Sequence, residues 1–210
     1  MLVTQSLSVF EQLMAAAPEA VSAPPAPQQP RSNAISEKTG LPGRYRGEWP
    51  LPEDAEWHGR LKKAGKQLDS GGTLALIGSR GTGKTRLAAE LMRHETTSRD
   101  RYTTAMGLFL RIRRSFSKGA SETEADIVDE MSDCPLLVID EIQERGNTGW
   151  EDRIITHILD RRYSEMMQTI IIANLTKESL SECLGDSVVS RMQETGGVME
   201  MKGKSFREKS

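Results

Sequence analysis

The sequence predicts an α/β domain, in which helices cover both faces of a parallel sheet. Short apolar segments alternate with longer amphipathic ones, which is the pattern of strands joined by helices. A glycine-rich stretch at 78–85 lies between the first of these strands and a helix, and two acids, Asp140 and Glu141, close a later apolar strand. These three observations predict both the fold class and the place of the chemistry.

Five short apolar segments are expected to form the strands of the sheet. Each is bounded by glycine, polar or charged residues, and each is shorter than an ordinary helix. They are residues 73–78, 102–106 (within the stretch 101–109), 136–140, 168–174 and 196–201. Helical spacing of apolar residues predicts helices at 57–68, 84–95, 110–118, 121–131 and 151–163, and a short one that carries Arg191.

The chain is expected to divide into an N-terminal tail, 1–40, and a folded domain, 41–210. Five of the nine prolines fall within 18–30, a composition that cannot bury a core, so the tail is predicted to be a disordered linker. Before the prolines, the apolar residues of Leu7–Met14 share a helical face. This segment is either a frayed helix or a short docking helix.

Composition narrows the possible partners and the cellular location. The net charge is −2, so any nucleic-acid contact must come from a local basic patch. Cys134 and Cys183 lack CxxC spacing and the three histidines are scattered, so no zinc site is expected. The sequence has no apolar stretch near 18 residues and no signal sequence. We therefore expect a cytoplasmic protein without membrane contact.

The glycine-rich stretch, Gly-Ser-Arg-Gly-Thr-Gly-Lys-Thr, fits the spacing G-x-x-x-x-G-K-[ST] in full. Its position between a strand and a helix is the context in which this spacing binds phosphate. Glycine lets backbone N–H groups turn inward around phosphate oxygens, where a Cβ would clash. Lys84 is predicted to reach the β- and γ-phosphates, and Thr85 to offer its hydroxyl to Mg²⁺. Nucleotide contacts are expected from Gly78, Ser79, Arg80, Gly81, Thr82, Gly83, Lys84 and Thr85.

The two acids are explained by this loop. A phosphate-loop enzyme needs an acid at the end of an adjacent apolar strand to hold the magnesium shell, and Asp140 fits that role. Glu141 can orient or deprotonate the water that attacks the γ-phosphate. The alternative is a surface strand end with two solvated acids. Neither N-K-x-D nor L-S-G-G-Q occurs in the chain, which disfavours guanine-nucleotide switches and transporter-type ATPases.

Two further polar residues follow the acids along the chain. Asn174 closes an apolar strand and can hydrogen-bond the attacking water or the γ-phosphate, although simple turn chemistry also explains it. Arg191 follows later, in an order that suits an arginine finger acting on the γ-phosphate of a neighbouring subunit. The alternative for Arg191 is a solvated surface arginine. As a finger, it would require oligomers whose active sites lie between subunits.

The order of these motifs resembles the AAA+ ATPases of the DnaC/IstB group, which comprises helicase loaders and transposition helper ATPases. The resemblance is carried by GSRGTGKT, LLVIDEI, IITHILDRRYS, IIIAN, LGDSVVSRM and GKSFR, and spans roughly 41–207. It implies a P-loop NTPase fold with a central parallel sheet and no C-terminal helical lid. It gives no firm role to Arg207 of the Ser-Phe-Arg ending. It implies Walker A, Walker B, sensor 1 and arginine-finger roles for Lys84, Thr85, Asp140, Glu141, Asn174 and Arg191.

The resemblance also implies contact with single-stranded DNA, because the group has a helical insertion after the second strand. The matching stretch here, LRIRRSFSKGAS, is basic and contains one aromatic residue that can stack on a base. An ordinary basic helix face is the alternative. The residues expected to contact DNA are Arg111, Arg113, Arg114, Phe116 and Lys118.

The function implied by the resemblance is that of an ATP-dependent helicase loader, of phage or prophage origin, that binds single-stranded DNA and delivers a replicative helicase. Its ATPase activity is expected to be slow without a neighbouring subunit. The group's loaders grip the helicase with an N-terminal helical domain, whereas only about forty residues precede the core here. A transposition helper ATPase and a nucleotide-gated DNA-binding module are the alternatives. A small-molecule phosphotransferase is the least favoured.

Overall fold

A computed structural model of the chain describes residues 35–47, 55–69, 71–95, 97, 99–146 and 148–203. The described residues all belong to one compact unit, Ala34–Ser210. The predicted docking helix, the proline-rich linker and the Ser-Phe-Arg ending lie outside the described residues. Ile35 and Thr39, which precede the predicted boundary at residue 40, are buried. The division into tail and domain stays a prediction.

Five strands form one sheet in the order β2-β3-β4-β1-β5, and every neighbouring pair is parallel. The predicted α/β class with a central parallel sheet is therefore confirmed. We had expected the acid-bearing strand β3 to be adjacent to β1, the strand that leads into the glycine-rich loop. This was wrong, because β4 lies between them. The strands are β1 (Thr73–Ile77), β2 (Arg101–Thr104), β3 (Leu136–Asp140), β4 (Gln168–Ile172) and β5 (Gly197–Glu200).

Helices connect the strands and cover both faces of the sheet. A short 3₁₀ turn, Glu37–Thr39, precedes them. The helices are α1 (Gly43–Arg46), α2 (Ala55–Asp69), α3 (Lys84–Glu95), α4 (Ala105–Ser115), α5 (Glu124–Asp133), α6 (Gly149–Ser164), α7 (Lys177–Leu184) and α8 (Asp186–Thr195). Among the described residues, no helix has the length and apolar character needed to cross a membrane.

Two helix boundaries differ from the sequence prediction because of threonine caps. The second strand ends at Thr104 rather than at 106, because the Thr104 hydroxyl accepts a hydrogen bond from the Gly107 N–H at 3.0 Å and starts α4. The last part of the predicted strand, 105–106, is thus the first turn of a helix. Helix α7 was not predicted, and Thr176 caps it in the same way.

The core has two halves, one on each face of the sheet. Successive side chains of a strand point to opposite faces, so β1 contributes Ala75 and Ile77 to one half and Leu74 and Leu76 to the other. The first half packs against α4 to α8, and the second against α2, α3 and the segment around Leu41. The segments that leave β1, β3 and β4 meet at the carboxyl edge of the sheet.

Candidate nucleotide-binding site

The glycine-rich loop turns sharply after β1. Gly78, Gly81 and Gly83 have φ angles of 126°, 85° and 87°, in the region that favours glycine. A Cβ on Gly78 would approach the Met201 carbonyl oxygen at 2.5 Å. The loop therefore requires glycine for its backbone conformation, and at Gly78 also because the chain that follows β5 lies so close.

Helix α3 begins at Lys84 and directs its positive N-terminal end into the loop. The Lys84 ammonium donates to the carbonyl oxygens of Gly78 at 2.8 Å and Ser79 at 2.6 Å, and the residue is only 5% exposed. The Thr82 hydroxyl donates to the same Ser79 carbonyl at 3.0 Å. The lysine thus lies within the ring of the loop, beside the N–H groups that would face a phosphate.

Asp140 is the most heavily bonded acid of the site. Its Oδ2 accepts from the Thr85 hydroxyl at 2.8 Å and from the Tyr102 hydroxyl at 2.7 Å, and its Oδ1 accepts from the Glu141 N–H at 2.7 Å. The end of β3 and the start of α3 therefore meet through one carboxylate and one hydroxyl. These are the two protein oxygens that the sequence predicted would share Mg²⁺.

The sequence reasoning missed Tyr102. It lies in β2, in parallel register with β3, and crosses to the acid at the end of that strand. Burial, and then the negative charge of Asp140, raise the pKa of the Tyr102 hydroxyl, so that it remains a neutral donor. The sequence does show a tyrosine in a predicted strand. Predicting its contact with Asp140 would have required knowing that this strand lies next to the acid-bearing strand.

Glu141 has an unusual backbone. Its φ angle of 53° is in the left-handed region, which non-glycine residues rarely adopt and which Met166, away from the cavity, also shows. The turn exposes the side chain, which lines the same cavity as Lys84 and Asp140. The two adjacent acids therefore separate: Asp140 is buried and hydrogen-bonded, whereas Glu141 faces the space that a substrate would fill.

Asn174 lies just beyond β4 and lines the same cavity. Its N–H donates to the Gln143 Oε1 at 3.2 Å, and the next carbonyl, of Leu175, accepts from the Gly78 N–H at 3.2 Å. The ends of β4 and β1 and the turn after β3 are thus joined by short contacts. This joining places the Asn174 side chain near both the loop and Glu141.

These residues surround a cavity of about 400 Å³, a volume within the range of small-ligand pockets. The cavity is also lined by Arg44 and Tyr45, which sequence reasoning did not identify. The Arg44 guanidinium lies over the Tyr45 ring, 4.8 Å from its centroid, and Arg93 donates to the Tyr45 carbonyl at 3.1 Å. The cavity therefore offers an aromatic ring as well as phosphate-binding groups.

The donor set fits magnesium better than a tightly chelated metal. Within the described ranges, no cluster of three or more His, Cys, Asp or Glu side chains is placed to hold a metal ion. Mg²⁺ is usually held by one or two protein oxygens together with substrate phosphates and water. The neighbouring Thr85 hydroxyl and Asp140 carboxylate would supply such oxygens, and a bound Mg²⁺ would neutralise phosphate charge.

Arg191 does not line this cavity. Its guanidinium forms an ion pair with Asp160 of α6 and lies 5.6 Å from the centroid of the Tyr163 ring. It borders a small groove that includes Thr73, at the start of β1, whereas the glycine-rich loop follows the end of that strand. A five-residue strand spans about 16 Å. Arg191 is therefore at the opposite edge of the sheet from its own chain's loop.

The predicted DNA-contact residues fall into two groups. Arg111 donates to Glu122 at 2.9 Å and to Glu130 at 2.5 Å, and Arg113 donates at 3.0 Å to Glu151, which is 2% exposed. These two guanidinium groups are occupied within the chain by acids that sequence spacing did not connect with them. Arg113 nonetheless stays at the surface, with its side chain 56% exposed, as do Arg114, Phe116 and Lys118, of which Phe116 is 62% exposed.

The fold and site together define the class of this protein. A five-stranded parallel sheet in this order, with a glycine-rich loop after β1 and an acid at the end of β3, is the architecture of an AAA+ P-loop NTPase. Residues 66–210 match the family described as IstB-like ATP binding protein. Since this match covers more than half of the chain, the chain belongs to that family.

Individual proteins agree with this assignment. The chain is 30% identical over 118 residues to the replicative helicase loader DnaC of Buchnera aphidicola subsp. Acyrthosiphon pisum, covering 55% of this chain and 48% of that protein. The chain thus spans about half the length of this relative. A crystal structure of the DnaC helicase loader has a TM-score of 0.61 at 22% identity, covering 76% of this chain and 99% of that one. AMPPCP-bound DnaA from Aquifex aeolicus has a TM-score of 0.60 at 22% identity, covering 80% and 53%.

Proposed function

We propose that this protein binds ATP with Mg²⁺ and hydrolyses it. The observation that carries the proposal is the convergence of Lys84, Thr85, Asp140, Glu141 and Asn174 on one cavity at the carboxyl edge of the sheet. They come from three places in the fold, the start of α3, the end of β3 and the chain just beyond β4. The family to which the chain belongs is an ATP-binding one, which supports the choice of nucleotide.

Each residue has a distinct role in this proposal. Lys84 neutralises the β- and γ-phosphates, and Thr85 and Asp140 would hold Mg²⁺, which would supply further positive charge to these phosphates. Glu141 accepts a proton from, or orients, the attacking water, and Asn174 hydrogen-bonds that water or the γ-phosphate. Tyr102 holds the Asp140 carboxylate in place through its 2.7 Å bond. Arg191 would act on a neighbouring subunit, which requires a homo-oligomer with active sites between subunits.

We further propose that ATP binding and hydrolysis serve the loading of a replicative helicase. Support comes from the relatives of about 30% identity that are named replicative helicase loader DnaC. The site of action would be the cytoplasm, where such a helicase meets DNA. The family's own name keeps a second candidate open, a transposition helper ATPase of the IstB kind.

Capture of a purified partner distinguishes these two functions. We expect the immobilised full-length chain, with ATP, to retain the host's replicative helicase and to increase the amount of helicase assembled on circular single-stranded DNA. Lys84→Ala, which removes the cation beside the proposed phosphates, serves as the nucleotide-free control. Retention of a transposase in place of the helicase would contradict the loader assignment and support the transposition helper.

We also propose that the chain binds single-stranded DNA through the surface formed by Arg114, Phe116 and Lys118. The exposed Phe116 ring can stack on a base, and the two cations can contact the backbone without sequence preference. Arg111 and Arg113 lie on the same helix with side chains 38% and 56% exposed, and they would contact DNA where a backbone phosphate replaces their acid partners. Exposed aromatic and basic groups at the end of one helix favour this mode of binding.

Substitution at this surface tests the DNA proposal. Phe116→Ala is expected to weaken binding of a labelled oligo-dT by about tenfold, since one stacked base contributes on the order of 1–3 kcal/mol. The double variant Arg114→Ala/Lys118→Ala is expected to reduce the slope of log K against log salt by about 1.4, or about 0.7 for each cation. The control Arg153→Ala/Lys177→Ala removes the same charge from exposed positions elsewhere. An equal loss in the control would contradict a dedicated surface.

A further inference from the structure

The glycine-rich loop contains a charged side chain that its phosphate-binding geometry does not require. Arg80 sits between the loop glycines, where backbone N–H groups do the cradling, and its side chain is 73% exposed. It lines the same cavity as Lys84 and Glu141. Its Nη2 lies 3.2 Å from the Glu144 Oε1, in an ion pair with the turn after β3.

Glu144 connects this arginine to the rest of the site. The Glu144 Oε1 also accepts from the Gln143 Nε2 at 3.4 Å, and the Gln143 Oε1 accepts from the Asn174 N–H at 3.2 Å. Three polar contacts therefore run from the loop, through the turn after β3, to the end of β4. If Arg80 changed its partner, these contacts would transmit the rearrangement to Asn174, which lines the same cavity.

Arg80 lies close to the residues to which hydrolysis is assigned. It lines the cavity together with Lys84 and Glu141, and its partner Glu144 belongs to the turn that begins with Glu141. In the proposed site, Glu141 acts on the water that attacks the γ-phosphate. A nucleotide with its phosphates in the loop would therefore bring its terminal phosphate close to Arg80.

The ion pair is of a kind that exchanges readily. With side chains 73% and 47% exposed, Arg80 and Glu144 are screened by water, and such pairs contribute little to stability. A phosphate oxygen is a strong partner for a guanidinium, since it allows charge-assisted and bidentate hydrogen bonds. A γ-phosphate can therefore displace the Glu144 carboxylate.

We propose that Arg80 is a γ-phosphate sensor that acts within its own chain. It leaves Glu144 for the γ-phosphate when ATP binds and returns to Glu144 when ADP remains, and the Glu144–Gln143–Asn174 contacts relay the change. The inference rests on the proposed ATP site and adds a specificity-determining residue to it. Arg80 thereby distinguishes ATP from ADP, whereas Lys84 and the loop backbone hold both nucleotides.

Calorimetric titration with AMP-PNP and with ADP tests this role. Arg80→Ala is expected to weaken AMP-PNP binding by about tenfold and to leave ADP binding within about twofold, since one charge-assisted hydrogen bond is lost for the triphosphate only. Arg80→Lys should recover part of the AMP-PNP affinity through its charge. Glu144→Gln, which removes the competing carboxylate, should tighten AMP-PNP binding by a few-fold.

The controls separate failure of the inference from failure of the proposed function. Arg153→Ala removes an exposed arginine that bonds a carbonyl of its own helix, and it should change neither affinity. Equal weakening of both nucleotides by Arg80→Ala, or no weakening, would overturn the sensor role while leaving the ATP site intact. If Lys84→Ala bound both nucleotides as the unmodified chain does, the ATP site itself would be wrong.

Discussion

Glu141→Gln is expected to keep ATP bound and to slow its hydrolysis by about 100-fold or more. General-base catalysis contributes on the order of 10²–10⁴ in rate, and the amide cannot accept the proton of the attacking water. Binding should persist because Lys84, Thr85 and Asp140 keep their contacts, and the Asp140 Oδ1 accepts from the backbone N–H of residue 141, which the substitution retains. Phosphate release with single-stranded DNA present measures the rate, and calorimetry measures the affinity.

The matched control for this variant is Glu165→Gln. Glu165 is an exposed acid at the end of α6, so its substitution removes one negative charge without touching the cavity. We expect its hydrolysis rate to equal that of the unmodified chain. Normal hydrolysis by Glu141→Gln would show that another group activates the water, and its left-handed backbone would then need a structural explanation.

Arg191→Ala is expected to leave ATP affinity unchanged and to reduce hydrolysis by about 10³-fold, the lower end of the effect of arginine fingers. Affinity should not change, because Arg191 borders a groove at the start of β1 rather than the cavity of its own chain. In this structure its guanidinium is held by Asp160 and the Tyr163 ring, in a partly exposed position that a neighbouring subunit can reach.

Mixing two inactive variants tests whether Arg191 acts between subunits. A Lys84→Ala chain is expected to bind no ATP but to carry an intact Arg191, whereas an Arg191→Ala chain binds ATP but has no finger. Together they should recover a measurable fraction of the ATPase rate, which neither shows alone. The control Arg153→Ala should hydrolyse ATP at the normal rate. Absence of recovery, or full activity of Arg191→Ala alone, would contradict the finger role.

The sequence alone determined the features that depend on local chemistry. Each of these features is encoded by a short contiguous stretch of sequence, and the structure places it as expected. They are the strand–loop–helix order around the glycine-rich stretch, the apolar strands, and the two acids at the end of β3. The spacing of residues was sufficient to predict these features because the conformation of a glycine, of a β-branched strand and of a helix start depends mainly on the adjacent residues. The α/β class and the resemblance to the DnaC/IstB group followed from that order.

Tertiary structure decided which distant residues share a contact. Strand order placed β4 between β1 and β3, and the β2–β3 pairing brought Tyr102 to Asp140. Packing also paired Arg111 and Arg113 with acids and set Arg80 against Glu144. The predicted DNA contacts of Arg111 and Arg113 stay predictions. The sequence shows which residues are charged or aromatic. Which distant residue each of them contacts depends on the crossover connections and on the packing of the whole sheet.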